Sequence, residues 1–436
     1  MAASQGSAPG LLDRVRAIAD AVLYEGYVLY PYRRSSEKNR VRWQFGVLAP
    51  EPWLAGQGPV DQTSVAGSAE SWFQQTECLL EAPPDATVTV RVRFLQVQAK
   101  VIERRKDGGG YEPADAVEID GQQHLTFDEA LPRERDVTAA VADLLAAERR
   151  VSLAFPGAEC TEDLPGGMAR IVRRNWPVSA DVVLSAHAAR TPFPVLRLRI
   201  RVENTTGPVS ADTPREQALR RSMVATHTVT AVSGGGFLSL LDPPRWAESA
   251  ARECANVHTF PVLAGPPGSD TVVLSAPIIL SDHAQIAPES AGDLHDGGEI
   301  DEILSLRTLT LTEEEKAEAR ATDPRTAAII DRVDAMPPEM FAKLHGAVRS
   351  LRPATPASDS VFVGGSRITA GSQVRLRPRR HGTDAQDMFL AGRTATVSDI
   401  LTDVDGTKFV AVTLDDPGGD LMRSYHFAPD EIEVMR

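Results

Sequence analysis

Residues 87–104 read TVTVRVRFLQVQAKVIER. Val88, Val90, Val92, Phe94 or Leu95, Val97 and Val101 place an apolar side chain at nearly every second position, the period of a β-strand. The change of parity between Phe94 and Leu95 predicts a β-bulge there. A strand this long and this apolar needs partners on either side, so the fold is expected to be built around a sheet.

Working outward, the preceding segment Leu11–Tyr24 carries Leu11, Leu12, Val15, Ile18, Ala19 and Val22 on one helical face, with Gly26 as its stop. The stretch YVLYPYRRSSEKNRVRWQFGVLAP (27–50) reads as two apolar-aromatic strands flanking a basic loop. Beyond the long strand, residues 106–130 predict a turn and a returning strand pair. Asp136–Arg150 predicts a helix capped by Asp136, and VSLAFPG a strand. Residues 181–190 and 194–206 form two more expected strands, the second alternating Leu196, Leu198, Ile200 and Val202 with Arg197, Arg199 and Arg201. Pro214–Val232 predicts a helix begun by proline, and strands are expected at 234–244, 256–267 and 271–283. These elements define a mixed α+β body over residues 10–299, open to being two similar halves.

From residue 300 the pattern turns helical. Thr312 and Glu315 form a capping box, Asp323 precedes Pro324, and Pro337–Pro338 repeats the device. A short helical arm is therefore expected over 300–352, then a linker over 353–360. Residues 361–436 hold four strand-like runs and the turn DVDG (403–406), which predicts a small SH3-like β-barrel. The complete expectation is an α+β protein with body, arm and C-terminal barrel.

Composition narrows the function. The 436 residues carry a formal net charge of −14, which argues against general nucleic-acid binding because that rests on cations meeting phosphate. There are 31 prolines and 32 glycines, about one residue in seven, pointing to many turns. No apolar run approaches the roughly 20 residues of a membrane helix, and the start MAASQGSAPG has no signal-peptide pattern. The three cysteines, Cys78, Cys160 and Cys254, are far apart, which fits a reducing cytoplasm.

No P-loop, GxSxG, HExxH or GxGxxG pattern occurs, and SGGGF (233–237) lacks the helix a phosphate cradle requires. His227 is expected on a helix, and Cys254 with His258 has a four-residue spacing that only a helix would turn into a ligand pair. The richest candidate is SDHAQIAPESAGDLHDGGEIDEIL (281–304). Between Asp282 and Glu302 it holds seven carboxylates and two histidines with no lysine or arginine. Asp282, His283, Asp293, His295 and Asp296 are candidate metal ligands, although the spacing is not that of an EF-hand. Glu289, Asp293 and Asp296 are candidates for docking a partner, and a plain acidic surface connector is the other reading of the stretch. The five cations Arg33, Arg34, Lys38, Arg40 and Arg42 of the basic loop are docking candidates too. The sequence names no cofactor and no catalytic residue.

The stretches YEGYVLYPYRRSSEKNRVRWQFGVLAP, APIILSDHAQIAPESAGDLHDGGEIDEIL, DMFLAGRTATVSDI and HFAPDEIEVM resemble an uncharacterised bacterial family associated with [NiFe]-hydrogenase gene clusters. GSQVRLRPRR and AGRTATVSDI resemble the barrel of KOW-type modules and of the nitrile hydratase beta subunit. The first resemblance implies a part in making or holding a hydrogenase, with hydrogenase subunits or maturation factors as partners; it carries no catalytic residues. A cytoplasmic, non-catalytic accessory or assembly protein is thus expected. A metal-dependent enzyme with a dispersed site and a scaffold in a larger complex are the alternatives.

Overall fold

The computed structural model describes residues 8–40, 42–56, 70–287, 290, 292–295, 301–337, 361–363, 366–377, 390, 392–402, 408–414 and 425–434. The chain divides into two compact units, Met1–Gly346 and Ala347–Arg436.

The first unit is a mixed α+β structure dominated by two antiparallel sheets. One has the strand order β13 (Gly236–Leu238), β1 (Phe73–Glu81), β11 (Leu196–Asn204), β10 (Val178–Ala188) and β7 (Arg149–Phe155). The other runs β14 (Phe260–Leu263), β15 (Val272–Ala276), β12 (Val224–Ser233), β2 (Thr87–Arg105), β9 (Ala169–Asn175) and β8 (Ala158–Asp163). Strands β3 (Tyr111–Ala114) and β6 (Glu129–Ala140) also pair with β2, and β4 (Ala116–Ile119) pairs with β5 (Gln122–Leu125).

The alternating segment is indeed one long strand, and both of its faces are buried. Val88, Val90, Val92 and Phe94 point between the sheets, where they meet Cys78, Leu80, Val182, Leu184, Leu198 and Ile200. Leu95 and Val97 have the opposite parity and enter a second core with Tyr27, Tyr32, Trp43 and Ile329. The parity change is therefore a change of core, not a bulge in this strand: the β2–β6 register runs unbroken from Thr87↔Ala140 to Gln98↔Glu129. The irregularity lies across the ladder in β12, between Val224 and His227, where Ala225 has φ 51°.

Helices α1 (Ala8–Asp13) and α2 (Arg16–Tyr24) replace the single expected N-terminal helix. Their apolar face, with Leu11, Leu12, Val15, Ala19 and Val22, packs on Val229, Ala231 and Leu274 of the second sheet. Residues 27–50 are not two strands. They hold turns, a short α3 (Glu37–Arg40) and an isolated bridge at Leu48, with α4 (Glu51–Ala55) following. Asn39 explains the irregular course: its amide pairs with Leu29 N and O and with Arg33 O, supplying bonds a ladder would otherwise make.

Two expected helices shrink for the same reason. Only α5 (Val141–Ala146) forms within 136–150, because Val137 and Ala139 enter the intersheet core and Asp136 pairs with Arg91 across the ladder. Only α6 (Arg215–Leu219) forms within 214–232, with Pro214 as its N-cap; the β-branched run after it becomes the buried strand β12. A further short helix, α7 (Glu248–Arg252), covers β1.

The caps expected after residue 300 are present. Helix α8 (Asp301–Leu309) leads to α9 (Glu313–Thr322), with the Thr312/Glu315 capping box, and to α10 (Pro324–Asp334), capped by Asp323. Rather than projecting as an arm, they pack on the body: Leu304, Leu311, Ala319, Ile329, Ile330 and Val333 share the core of Tyr27 and Trp43. The expected helix at 337–351 beyond its first residue, the 353–360 linker and the 403–406 turn lie outside the described residues.

In the second unit, β16 (Val361–Val363) pairs with β17 (Ser366–Ile368). A five-stranded antiparallel sheet has the order β21 (Tyr425–Phe427), β20 (Lys408–Leu414), β19 (Thr394–Thr402), β18 (Gln373–Leu376) and β22 (Ile432–Val434). Its core includes Val374, Leu376, Val397, Val410, Val412 and Phe427.

Phe94 and Phe155 join the two sheets of the first unit, edge to face at 4.7 Å. Phe94→Ala is predicted to destabilise this unit by about 3–5 kcal/mol. All five tryptophans lie between Trp43 and Trp246, so the urea midpoint followed by tryptophan fluorescence reports this unit; an unshifted midpoint would show that the contact does not bind the sheets together.

Candidate functional site

The acidic stretch is split between two anchor points. Asp282 accepts hydrogen bonds from Leu263 N (2.8 Å) and Ser239 Oγ (2.5 Å), while His283 N donates to Leu263 O (2.7 Å). This pair therefore fastens the chain beside β14. Asp293 instead closes a tight turn by accepting from His295 N at 2.7 Å. His295 is buried, with φ 58°, against the rings of Tyr24 and Tyr27, and its carbonyl accepts from Gly26 N.

His295 Nδ1 lies 3.0 Å from Asp293 Oδ2, a close contact without the alignment of a good hydrogen bond. Burial raises the Asp293 carboxyl, but His295 and Arg332 outweigh it and hold the group below its ordinary value. Gly292 is needed here: its φ is 134°, and a side chain at this position would meet the Arg332 guanidinium. Thus Asp282 and His283 belong to one site and Asp293 and His295 to another. Glu289 and Asp296 lie outside the described residues. Among the described residues, no three His, Cys, Asp or Glu side chains gather as a metal set.

The basic loop meets acids of its own chain. Arg33 pairs with Glu315 at 2.8 Å and Arg34 with Asp115 at 2.8 Å. Between them Ser35 donates to Glu318 through both its amide and its hydroxyl. Lys38 is exposed on α3, and Arg40 lies on the same helix. Arg42 is buried between Trp43 and Phe127, with its guanidinium 4.0 and 3.7 Å from the two ring centres. It donates to Tyr27 O and Asp128 O. Burial pushes its pKa down to about 10, which still leaves a cation at neutral pH. Helix α9, which carries Glu315 and Glu318, is thus a partner of this loop.

A concave feature that the sequence did not disclose lies where α2, β2, β6, the Asp293–His295 turn and α10 meet. This cleft, of about 510 Å³, is lined by Arg16, Arg93, Arg133, Arg325 and Arg332, with Asp20, Glu134 and Asp293 as its carboxylates. Arg93 forms its buried base, paired with Asp20 and with Glu134 at 3.4 Å, while its Nη1 has no acceptor among the described residues. Arg16 also pairs with Glu134, at 3.2 Å.

The other three guanidiniums differ. Arg133 donates to the neutral amide of Gln96, and its pKa is lowered by burial and by Arg135. Arg325 lies 3.5 Å above the Tyr24 ring centre. Arg332 donates to the backbone oxygen of Asp293 at 3.1 Å. Among the described residues none of these three is ion-paired with a carboxylate. The one local signal for the cleft was Arg325 and Arg332 at a seven-residue spacing on a helix; Arg16, Arg93 and Arg133 come from remote parts of the chain.

The remaining candidates serve packing. Cys254 and His258 fall after α7 in a turn, and burial raises the Cys254 thiol to about 11. Burial also raises the Cys78 thiol. His227 lies on β12, not on a helix; it is buried with Nδ1 2.9 Å from Ala225 O. Gly236 opens β13, so SGGGF is a strand entry. Comparison with protein-family models and with curated proteins finds no match for this chain.

Burial, and secondarily Arg93, lower the His227 pKa from 6.5 to about 3. Between these values the unfolded chain binds the proton and the folded chain does not. Stability from this group is therefore complete above pH 6.5 and falls on acidification toward pH 3. His227→Gln keeps a donor for Ala225 O and removes the titration. The loss of unfolding free energy between pH 7 and pH 5 is predicted to shrink by on the order of 1–2 kcal/mol relative to wild type. An identical loss between pH 7 and pH 5 in wild type and variant, measured by urea titration, would refute this assignment.

Proposed function

We propose that this chain is a non-catalytic accessory or assembly protein that acts by holding a partner protein. The carrying observation is the use made of its titratable groups. Asp282 is a tether, Asp323 caps α10 while accepting from Tyr27 at 2.9 Å, and His227 is kept neutral in the core. Two of the cysteines have thiols raised away from the reactive thiolate. Catalysis asks for the reverse, with acid, base or nucleophile poised near working pH. Binding asks for a rigid frame presenting fixed charge, which supports the present reading.

The resemblance of 24–50, 276–304 and the C-terminal stretches to the hydrogenase-associated family supports a [NiFe]-hydrogenase subunit or maturation factor as partner, in the cytoplasm. We also read the second unit as an SH3-like barrel and a second contact module. Supporting this are five short antiparallel strands, the register shift between Val397 and Asp399 that bends β19, and the 3₁₀ turn Pro429–Glu431 before the last strand. In the described part of the chain no helix is long and apolar enough to cross a membrane.

The test is affinity isolation of the full chain from its native cells, with mass spectrometry of what is retained. Hydrogenase subunits or maturation factors are predicted to co-purify above a mock control. Their absence from isolates made while the hydrogenase is being assembled would reject this function.

A further inference from the structure

The arginine cleft has the makings of a site because its cations exceed its anions and lie in a recess rather than on an open surface. Five arginines face three carboxylates. Asp20 and Glu134 are occupied by Arg93 and Arg16, and Asp293 lies beside His295 and Arg332, the latter bonded only to its backbone oxygen. What remains for a ligand is the group Arg133, Arg325 and Arg332. This excess is notable in a chain of formal net charge −14, where an incidental cation would readily find a carboxylate.

The geometry of α10 adds selectivity. Arg325, Ala328 and Arg332 all line the cleft at helical spacing, so the small Ala328 leaves a gap between two guanidiniums. Arg325 lies over the Tyr24 ring, and a guanidinium can give two parallel bonds to a carboxylate. Beneath them, the buried Arg93 Nη1 is a further donor without an acceptor among the described residues.

We propose that this cleft binds an acidic peptide segment of the partner, with at least two Asp or Glu side chains reaching Arg325, Arg332 and Arg133. The proposal rests on the partner-holding function and names the chemistry that the partner presents. A peptide fits better than a nucleic acid because the recess of about 510 Å³ admits a few side chains, and Leu23, Tyr24 and Pro132 give it apolar walls.

Fluorescence anisotropy with the full chain provides the test, using a labelled glutamate-rich peptide with blocked ends. A lysine-rich peptide, inorganic phosphate as competitor and a labelled single-stranded oligonucleotide complete the set. The acidic peptide is expected to bind, and the lysine peptide not to. Arg325→Gln should weaken binding by about tenfold, and Ala328→Phe should weaken it by filling the gap. Both positions are exposed on α10, and unchanged urea midpoints would confirm intact folding.

Equal peptide affinity in wild type and both variants would overturn the proposal, as would no acidic-peptide binding at low salt. Tighter binding of the oligonucleotide, or full displacement by phosphate at the peptide's own concentration, would replace the peptide with a phosphate ligand and overturn it too. The affinity isolation separates the two claims. Partners retained equally by wild type and Arg325→Gln would leave the accessory function standing and remove the cleft from it.

Discussion

The structure depends on burying both faces of one strand. Val88 to Phe94 fill the space between two sheets, while Leu95 and Val97 fill a separate core beneath an irregular loop and three helices. A side-chain period of two makes this arrangement intolerant of error: a slip by one residue would exchange the contents of the two cores. β2 is held on both edges over Thr87–Leu95, by β6 and by β12, and its later part from Gln98 to Arg104 pairs with β9. The bulge in β12 adjusts the neighbour and leaves the central strand unbroken.

The same strand sets the electrostatics. Arg91, Arg93 and Lys100 interrupt its apolar pattern, and each is paired: with Asp136, with Asp20 and Glu134, and with Glu129. Removing such cations from water is costly, so a close carboxylate is required at each. This requirement draws α2, β6 and the loops onto the strand, and it places Arg93 at the base of the cleft. Among the described residues, carboxylate pairing stops at Arg133, Arg325 and Arg332.

Two segments rich in one sign of charge looked like surfaces for outside partners. In the folded chain the basic loop finds Glu315, Glu318 and Asp115, and the acidic turn at Asp293 finds His295 and Arg332. A charge run in sequence shows that a complement is needed. It does not show whether that complement is another molecule or a helix nearly three hundred residues away in the same chain. The cleft presents the reverse case, with arginines scattered too widely to form a run.

By itself the sequence determined the local elements whose signals are physical and short-ranged. Alternation made β2, β10 and β11 strands; Thr312 with Glu315 and Asp323 with Pro324 started α9 and α10; the N-terminal apolar face was correct although its helix is broken. Tertiary structure decided the competition between helix and strand at 136–140 and 224–232, because those residues gain more by completing a ladder over the core than by continuing a helix. It also decided the irregular course of 27–50, fixed by the side chain of Asn39. Above all it decided the site: a strand's period reveals which residues share a face, whereas the company kept by Arg93, Arg133 and Arg325 is set by packing between elements that the sequence holds far apart.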